Sequence, residues 1–461
     1  MALSSPIAPA APRRWLSIVG IGEDGADGLG PVARSLVAGA DIVFGGKRHL
    51  ALAGALIRGE PRAWPSPFEQ GVADVLARRG RSVCVLASGD PFHYGVGAVL
   101  ARHVDPAETV VVPAPSAFSL AAARLGWALA DCALLSLHGR ALDLVRPHLQ
   151  PGARVLALTS DSDGPAAVAR LLANSGFGPS RLTVLEALGG PRERVRTTTA
   201  AAFDLGGIDA LNTVAIEVAA SPGARIIARA AGLPDDLFEH DGQITKREIR
   251  AVTLAALAPR RGETLWDIGA GSGSVAIEWM LADVSLRAVA IEQNADRAAR
   301  IARNAAALGV PGLEVVHGVA PEVLRALPVT PSPLVGEGWG GGWRGYDETQ
   351  PHDPHPCPLP TRGRGTIEPI HRTPDAIFIG GGAGDAGVLD AAIAALRAGG
   401  RLVVNAVTIE TEALLIARHA ARGGTLTRIA IERAEPIGRM TAWRPALPVT
   451  QWAWTKPEAK P

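Results

Sequence analysis

ETLWDIGAGSGSVAIEWM, residues 263–280, reads as a buried strand, a glycine-rich turn and the start of a helix. Its glycines fall at Gly269, Gly271 and Gly273, with Ala270 and Ser272 between them and Asp267 two residues ahead. A dinucleotide turn of the form GxGxxG would need glycine at 274, where Ser274 stands. Glycines let backbone approach a ligand closely, and the helix that follows aims its free amides at it. The next apolar run ends in AVAIEQN, which puts Glu292 25 residues beyond Asp267. A carboxylate there can accept both hydroxyls of a ribose as a fork.

Working outward, the second half holds the runs LRAVAIEQN, LEVVHG, DAIFIGGG and RLVVNAV. The first half holds ADIVFG, SVCVLAS, TVVVPA, RVLALTS, LTVLEAL and NTVAIEV. Runs this continuous imply sheets covered by helices on both faces, so both halves are α/β. The seam falls in SPGARIIARAAGLPDD (221–236), where Pro and Gly interrupt the pattern. Residues 328–366 are rich in Gly, Pro, Trp and Arg without a period, and they interrupt the second α/β half. Such a stretch cannot bury enough surface to offset its ordering entropy, so a disordered insertion is expected. The rival reading is a lid in which Trp339 and Trp343 touch a flat ligand.

The 461 residues allow two large domains or three smaller ones. A formal charge of +1 gives no global attraction to nucleic acid or an anionic membrane, and aromatic residues at 4% are too few for a base-stacking platform. Neither kind of partner is expected. Cys84, Cys132 and Cys357 are widely spaced, which excludes a disulfide framework and points to a reducing cytoplasm. No metal centre is expected either. The longest uncharged apolar stretch is broken by Pro113 and Pro115, and the first residues lack a secretory cleavage pattern.

The DxGxGxG spacing is the motif of class I methyltransferases that use S-adenosylmethionine (SAM). Asp267, Gly269, Ala270, Gly271, Ser272, Gly273 and Glu292 are the contacts it suggests, with Ala320 in GVAP (318–321) beside the adenine. After DAIFI comes GGGAGD (380–385), where enzymes acting on nitrogen usually carry an Asn/Asp-Pro-Pro-aromatic box. Its absence fits methylation at carbon and speaks against a nucleic-acid or protein substrate. Upstream, DGQITKREIR (241–250) starts a helix, and Thr245 and Glu248 have the spacing of a capping box. On the functional reading this turn closes over the sulfonium, with Lys246, Arg247 or Arg250 meeting substrate carboxylates.

VGIGEDG (19–25) matches GxGxxG literally through Gly20, Gly22 and Gly25. Glu23 and Asp24 would oppose a pyrophosphate, however, and that argues against both a dinucleotide site and a nucleotide-sensing module. Together with GGKRHL (45–50), ASGDPFHYGVG (87–97), PAPSAFSLAAARLGWAL (113–129) and SLHGR (136–140), it resembles the tetrapyrrole (corrin/porphyrin) methyltransferases of the class III fold, in the branch acting on carbon 5. The second half resembles the class I branch that methylates carbon 15 and decarboxylates.

The resemblance implies an N-terminal tetrapyrrole methylase fold of two subdomains (14–225) after a flexible start (1–13). A C-terminal Rossmann-like class I SAM methyltransferase (226–461) follows. It implies two SAM sites per chain. The first would use Gly20, Gly22, Gly89, Asp90, Pro91, Ser116, Ala117 and Phe118, and the second would add Thr245 to the turn residues. DPFHYG departs from the family, which often has a small residue after the proline. The implied substrate is a reduced macrocycle with acetate and propionate side chains, with or without cobalt. Its anchors would come from Lys47, Arg48, His49, His138, Arg140, Lys246, Arg247, Arg250 and Arg439. No catalytic residue is assigned, and a homo-oligomer is expected.

Overall fold

The computed structural model describes residues 14–327 and 373–458. The expected insertion at 328–366, with Trp339, Trp343 and Cys357, lies outside the described residues, as do the first thirteen positions. Contacts divide the chain into two compact units that meet in sequence at Ala224–Arg225, with the short stretch Asp143–Pro147 counted in the second.

The first unit opens with a five-stranded sheet of β1 (Leu16–Ile21), β2 (Ile42–Gly45), β3 (Glu60–Ala63), β4 (Val83–Ser88) and β5 (Thr109–Val112), in the order β3-β2-β4-β1-β5. Every pairing in it is parallel. Side chains alternate between faces along a strand, and here both faces are cores. Leu16, Ile18, Phe44 and Val85 pack into one, while Val19, Ile21, Val43 and Leu86 pack into the other. That two-sided burial is why β1, β2 and β4 read as unbroken apolar runs.

A second five-stranded sheet follows: β6 (Cys132–Ser136), β7 (Arg154–Leu158), β8 (Arg181–Glu186), β9 (Arg194–Thr199) and β10 (Asn212–Glu217), in the order β6-β7-β10-β8-β9. Only β6 and β7 are parallel. NTVAIEV forms the antiparallel centre, paired to β7 and β8. A continuous apolar run reports burial, not strand direction. The edge strand β9, RVRTTT, has no apolar run because most of its side chains are exposed.

The second unit is built on a seven-stranded sheet. Its strands are β11 (Thr264–Ile268), β12 (Arg287–Glu292), β13 (Glu314–His317), β14 (Ala376–Ile379), β15 (Arg401–Ala406), β16 (Thr425–Ile429) and, after the hairpin β17 (Glu432–Ile437) and β18 (Met440–Pro445), β19 (Val449–Thr455). The order β13-β12-β11-β14-β15-β19-β16 is parallel through β15 and antiparallel beyond it. Strand order reverses at β11, which places the glycine turn that follows it at the switch point where open α/β sheets bind ligands.

Candidate functional site

Asp267, at the end of β11, is 1% exposed. Its Oδ2 accepts from the amide of Ala276 at 3.1 Å, inside the helix Ser274–Ala282. Burial pushes its carboxyl up to about 7, the Ala276 amide works against that, and nearby Glu292 adds to it. Gly269, Gly271 and Gly273 have φ of 68°, 60° and 74°, the left-handed region that a side chain would strain. Added Cβ atoms would also collide, at 2.7 Å from the Gly381 carbonyl oxygen for Gly269 and 2.7 Å from Ile301 Cγ2 for Gly273. Glu292, 3% exposed at the end of β12, reaches back to this turn. Its Oε2 accepts from Gly271 N at 2.8 Å and its Oε1 from Asn294 N at 2.9 Å.

Asp267 Oδ1 and Ser272 Oγ are buried and have no hydrogen-bond partner among the described residues. Buried polar atoms normally find partners, so these orphaned oxygens in a glycine cradle fit a polar nucleoside ligand. Ala320 lies in the loop after β13, half-buried against the core beneath β12 and β14.

The capping box is a correction. The helix runs over Arg247–Leu257 with Lys246 as its N-cap and no side-chain cap bond, so Thr245 stands one residue too early. Glu248 pairs instead with Arg433. Arg250 is a second correction: it is fully buried and its guanidinium is committed inside the unit. Nε donates to Glu278 at 2.5 Å, Nη1 to Asp235 at 3.1 Å and to the Thr245 carbonyl at 2.5 Å, and Nη2 to the Leu233 carbonyl. A guanidinium so engaged cannot meet a substrate carboxylate. Lys246 and Arg247 remain exposed at the helix start, and Arg439 sits on the exposed turn between β17 and β18.

In the first unit the candidate residues gather where β1, β4 and β5 end. The Gly89 amide donates to the Ile21 carbonyl at 3.1 Å, and the Gly89 carbonyl accepts from Ala114 N at 3.1 Å. Gly20 lies against that bond. A Cβ on Gly20 would strike the Gly89 oxygen and come within 2.5 Å of Ala114 N, which is the requirement for glycine there. Asp90 Oδ1 accepts from Phe92 N at 2.8 Å, which turns the chain after buried Pro91. Ser116 caps the helix Ala117–Leu125 by accepting from Ser119 N at 3.1 Å. The Phe118 ring is 1% exposed and packs on His93 with centroids 4.7 Å apart. The departure DPFHYG therefore supplies packing for the loop, with Phe92 half exposed.

His49 is also a correction. It is fully buried and bonded to Ser88 Oγ at 2.8 Å, just before Gly89, so it cannot reach a substrate carboxylate. Arg48 donates to the same hydroxyl at 3.1 Å and pairs with Glu23. Glu23, one of the two carboxylates that looked wrong for a pyrophosphate, thus serves cations, with Arg192 also on it at 3.4 Å. Burial lowers the pKa of His138 and so works against a cationic imidazole there. Arg140 lies over the Tyr94 ring, 5.8 Å from its centroid, and Lys47 is exposed at the start of its helix. Sequence reasoning missed Ser88, Tyr94, Arg192, Glu278 and Asn304. Two carried a signal: Glu278 is the only charge in its helix, and Asn304 is a poor helix former within Ala295–Ala307.

Comparison with known proteins matches residues 16–204 to the tetrapyrrole (corrin/porphyrin) methylases and residues 236–343 and 366–456 to a precorrin methyltransferase domain. A precorrin-6Y C(5,15)-methyltransferase [decarboxylating] of Sinorhizobium sp is 57% identical over 448 residues, covering 97% of this chain and 98% of its own. One from Mycobacterium tuberculosis (strain H37Rv) is 38% identical over 444 residues, 95% and 99%. Among solved structures, the C-terminal domain of precorrin-6Y C5,15-methyltransferase from Rhodobacter capsulatus is 41% identical. It covers 50% of this chain and 100% of its own, with a TM-score of 0.39.

Proposed function

Because the chain belongs to the precorrin-6Y C(5,15)-methyltransferase (decarboxylating) family, we propose that it methylates precorrin-6Y at meso carbons 5 and 15 and removes the ring C acetate carboxylate as CO2, giving precorrin-8X in cobalamin biosynthesis. It is a SAM-dependent C-methyltransferase with decarboxylase activity. The observation that carries this is the 57% identity to a relative of that name across 97% of the chain, spanning both halves. We assign carbon 5 to the first unit and carbon 15 with decarboxylation to the second, with one SAM site in each. The matches of the two halves to two different methylase families support that division. We further assign the chain to a homo-oligomer with no nucleic-acid or membrane partner. Among the described residues no helix is long and apolar enough to cross a membrane.

SAM supplies a methyl group on a sulfonium, an electrophile that needs no activation by the protein. The meso carbons belong to enamine-like units and are nucleophilic without prior deprotonation. The protein therefore has to align the two reactants and exclude water. In the second unit Glu292 and Asp267 would hold the cofactor through their remaining acceptor capacity, with Ser272 Oγ and the backbone of Gly269–Gly273 beside them. In the first, the turn at Gly20 and Gly22 and the segments Gly89–Pro91 and Ser116–Phe118 would do so. Lys47, Arg140, Lys246, Arg247 and Arg439 remain as anchors for substrate carboxylates, Arg48 being engaged by Glu23 and Ser88. Loss of CO2 needs an electron sink, and the conjugated imine of the macrocycle provides it.

The test is mass spectrometry of a purified incubation of precorrin-6Y, SAM and enzyme. The expected product has gained two methyl groups and lost one CO2. A product with a single methyl, or with its carboxylates all retained, overturns the assignment.

A further inference from the structure

In the second unit the segment 232–246 passes over the glycine turn as a strap. The Gln243 carbonyl oxygen lies 3.2 Å from where a Cβ on Gly271 would stand. One side chain joins the two. Asn304, 1% exposed in the helix Ala295–Ala307, donates through Nδ2 to the Ser272 carbonyl at 2.9 Å and to the Glu239 carbonyl at 3.0 Å. Its Oδ1 accepts from the Glu239 amide at 2.8 Å. Both groups of the amide are thus used, two bonds on the strap and one on the turn. An aspartate at this place would keep the acceptor and lose both donors, leaving a buried anion facing two carbonyl oxygens.

The strap has further ties at both ends. The amides of Gly232 and Leu233 donate to Glu278 at 2.6 and 2.9 Å. Arg250 takes the carbonyls of Leu233 and Thr245. Asp241 pairs with Arg297 at 2.8 Å and Arg300 at 3.2 Å. These ties secure the strap to the flanking helices. Among the described residues Asn304 alone bonds both the strap and the peptide between Gly271 and Gly273.

We propose that Asn304 is a positioning residue for the carbon-15 methylation. It registers the strap against the glycine turn, and so sets the affinity of the second site for its methyl donor without touching the reacting atoms. The inference rests on reading that turn as the SAM site. A buried amide with every polar group satisfied is also rigid, which lowers the ordering cost when a ligand binds.

The full-length chain provides its own control, since methyl transfer at carbon 5 uses the other unit. Asn304→Asp and the milder Asn304→Ser are assayed for both transfers as SAM is varied. The expected result is a KM for SAM in carbon-15 methylation raised about tenfold, the size of one lost hydrogen bond. The kcat at saturating SAM and the carbon-5 transfer stay near wild type. An unchanged KM in Asn304→Ser, or a fall in kcat with KM unchanged, overturns the proposal. If Asn304→Asp loses both transfers through misfolding, the serine variant decides. A wild-type enzyme that methylates carbon 5 and never carbon 15 overturns the functional reading of the second unit and this inference with it.

Discussion

Asp267, proposed above as a cofactor contact, carries a stability cost. Its carboxyl is raised to about 7 by burial, so the native state holds its proton more tightly than the unfolded chain does. A raised carboxyl contributes stability that is complete below the ordinary aspartate range and is lost as pH rises through about 7. Ligand-free enzyme is therefore expected to melt at lower temperature at pH 8 than at pH 5.5, with the loss centred on the second unit. Asp267→Asn removes the ionisation while keeping an acceptor for Ala276. It should gain about 4 kcal/mol over wild type at pH 8, an order-of-magnitude figure from the size of the shift, in urea unfolding followed at both pH values. The same variant should lose carbon-15 methylation. Gly20 makes the opposite kind of demand. Gly20→Ala drives a methyl into the bond between Gly89 and Ala114, with an expected cost of about 3 kcal/mol and loss of carbon-5 transfer, read by thermal melting and product analysis. This pair of sites shows how unequally the sequence reports its residues. Gly20, Asp267 and Glu292 stand out by their spacing at the ends of apolar strands, Gly20 in the first half and the two carboxylates in the second. Asn304 and Glu278 are bonded across 28 to 65 residues of chain, and no local pattern records such partners.

At the scale of elements, the helix Arg247–Leu257 is tied to its unit by Arg250 and Glu278, which are fully buried and 5% exposed. Removing one partner of such a pair leaves a buried charge uncompensated. Glu278→Leu is expected to cost about 3–5 kcal/mol in denaturant unfolding, and replacing both partners by apolar residues should cost much less. A double variant as unstable as the single would contradict that. Thr245 tests the corrected helix start. Since it makes no cap, Thr245→Ala should leave the melting temperature unchanged and act only on the KM for SAM in carbon-15 transfer. A lost cap would cost about 1 kcal/mol instead. The strands divide along the same line. Most of those with both faces in a core were visible as apolar runs, β19 excepted because its buried Thr450 and Gln451 break the pattern. The exposed strands β9 and β18 were not, because their residues are chosen for solvent and ladder geometry.

For the whole molecule, the proposal of one methyl-donor site in each unit predicts a calorimetric stoichiometry of two SAM per polypeptide. Gly271→Arg, which fills the second turn with a long cation at φ 60°, should leave one. Loss of both sites in a folded Gly271→Arg protein would contradict independent pockets. The sequence by itself determined that there are two α/β halves, where each glycine turn falls and which acidic residues follow it. Those features arise from neighbours in the chain, through hydrophobic period and the conformational demands of glycine. Tertiary structure decided which charges are free to meet a substrate. His49, His138 and Arg250 read from sequence as anchors, and folding buried all three. The physical reason is that a charge is expensive to bury alone and takes whatever partner the fold brings near it. Ser88, Glu278 and the carbonyls of Leu233 and Thr245 become such partners only once the chain is packed.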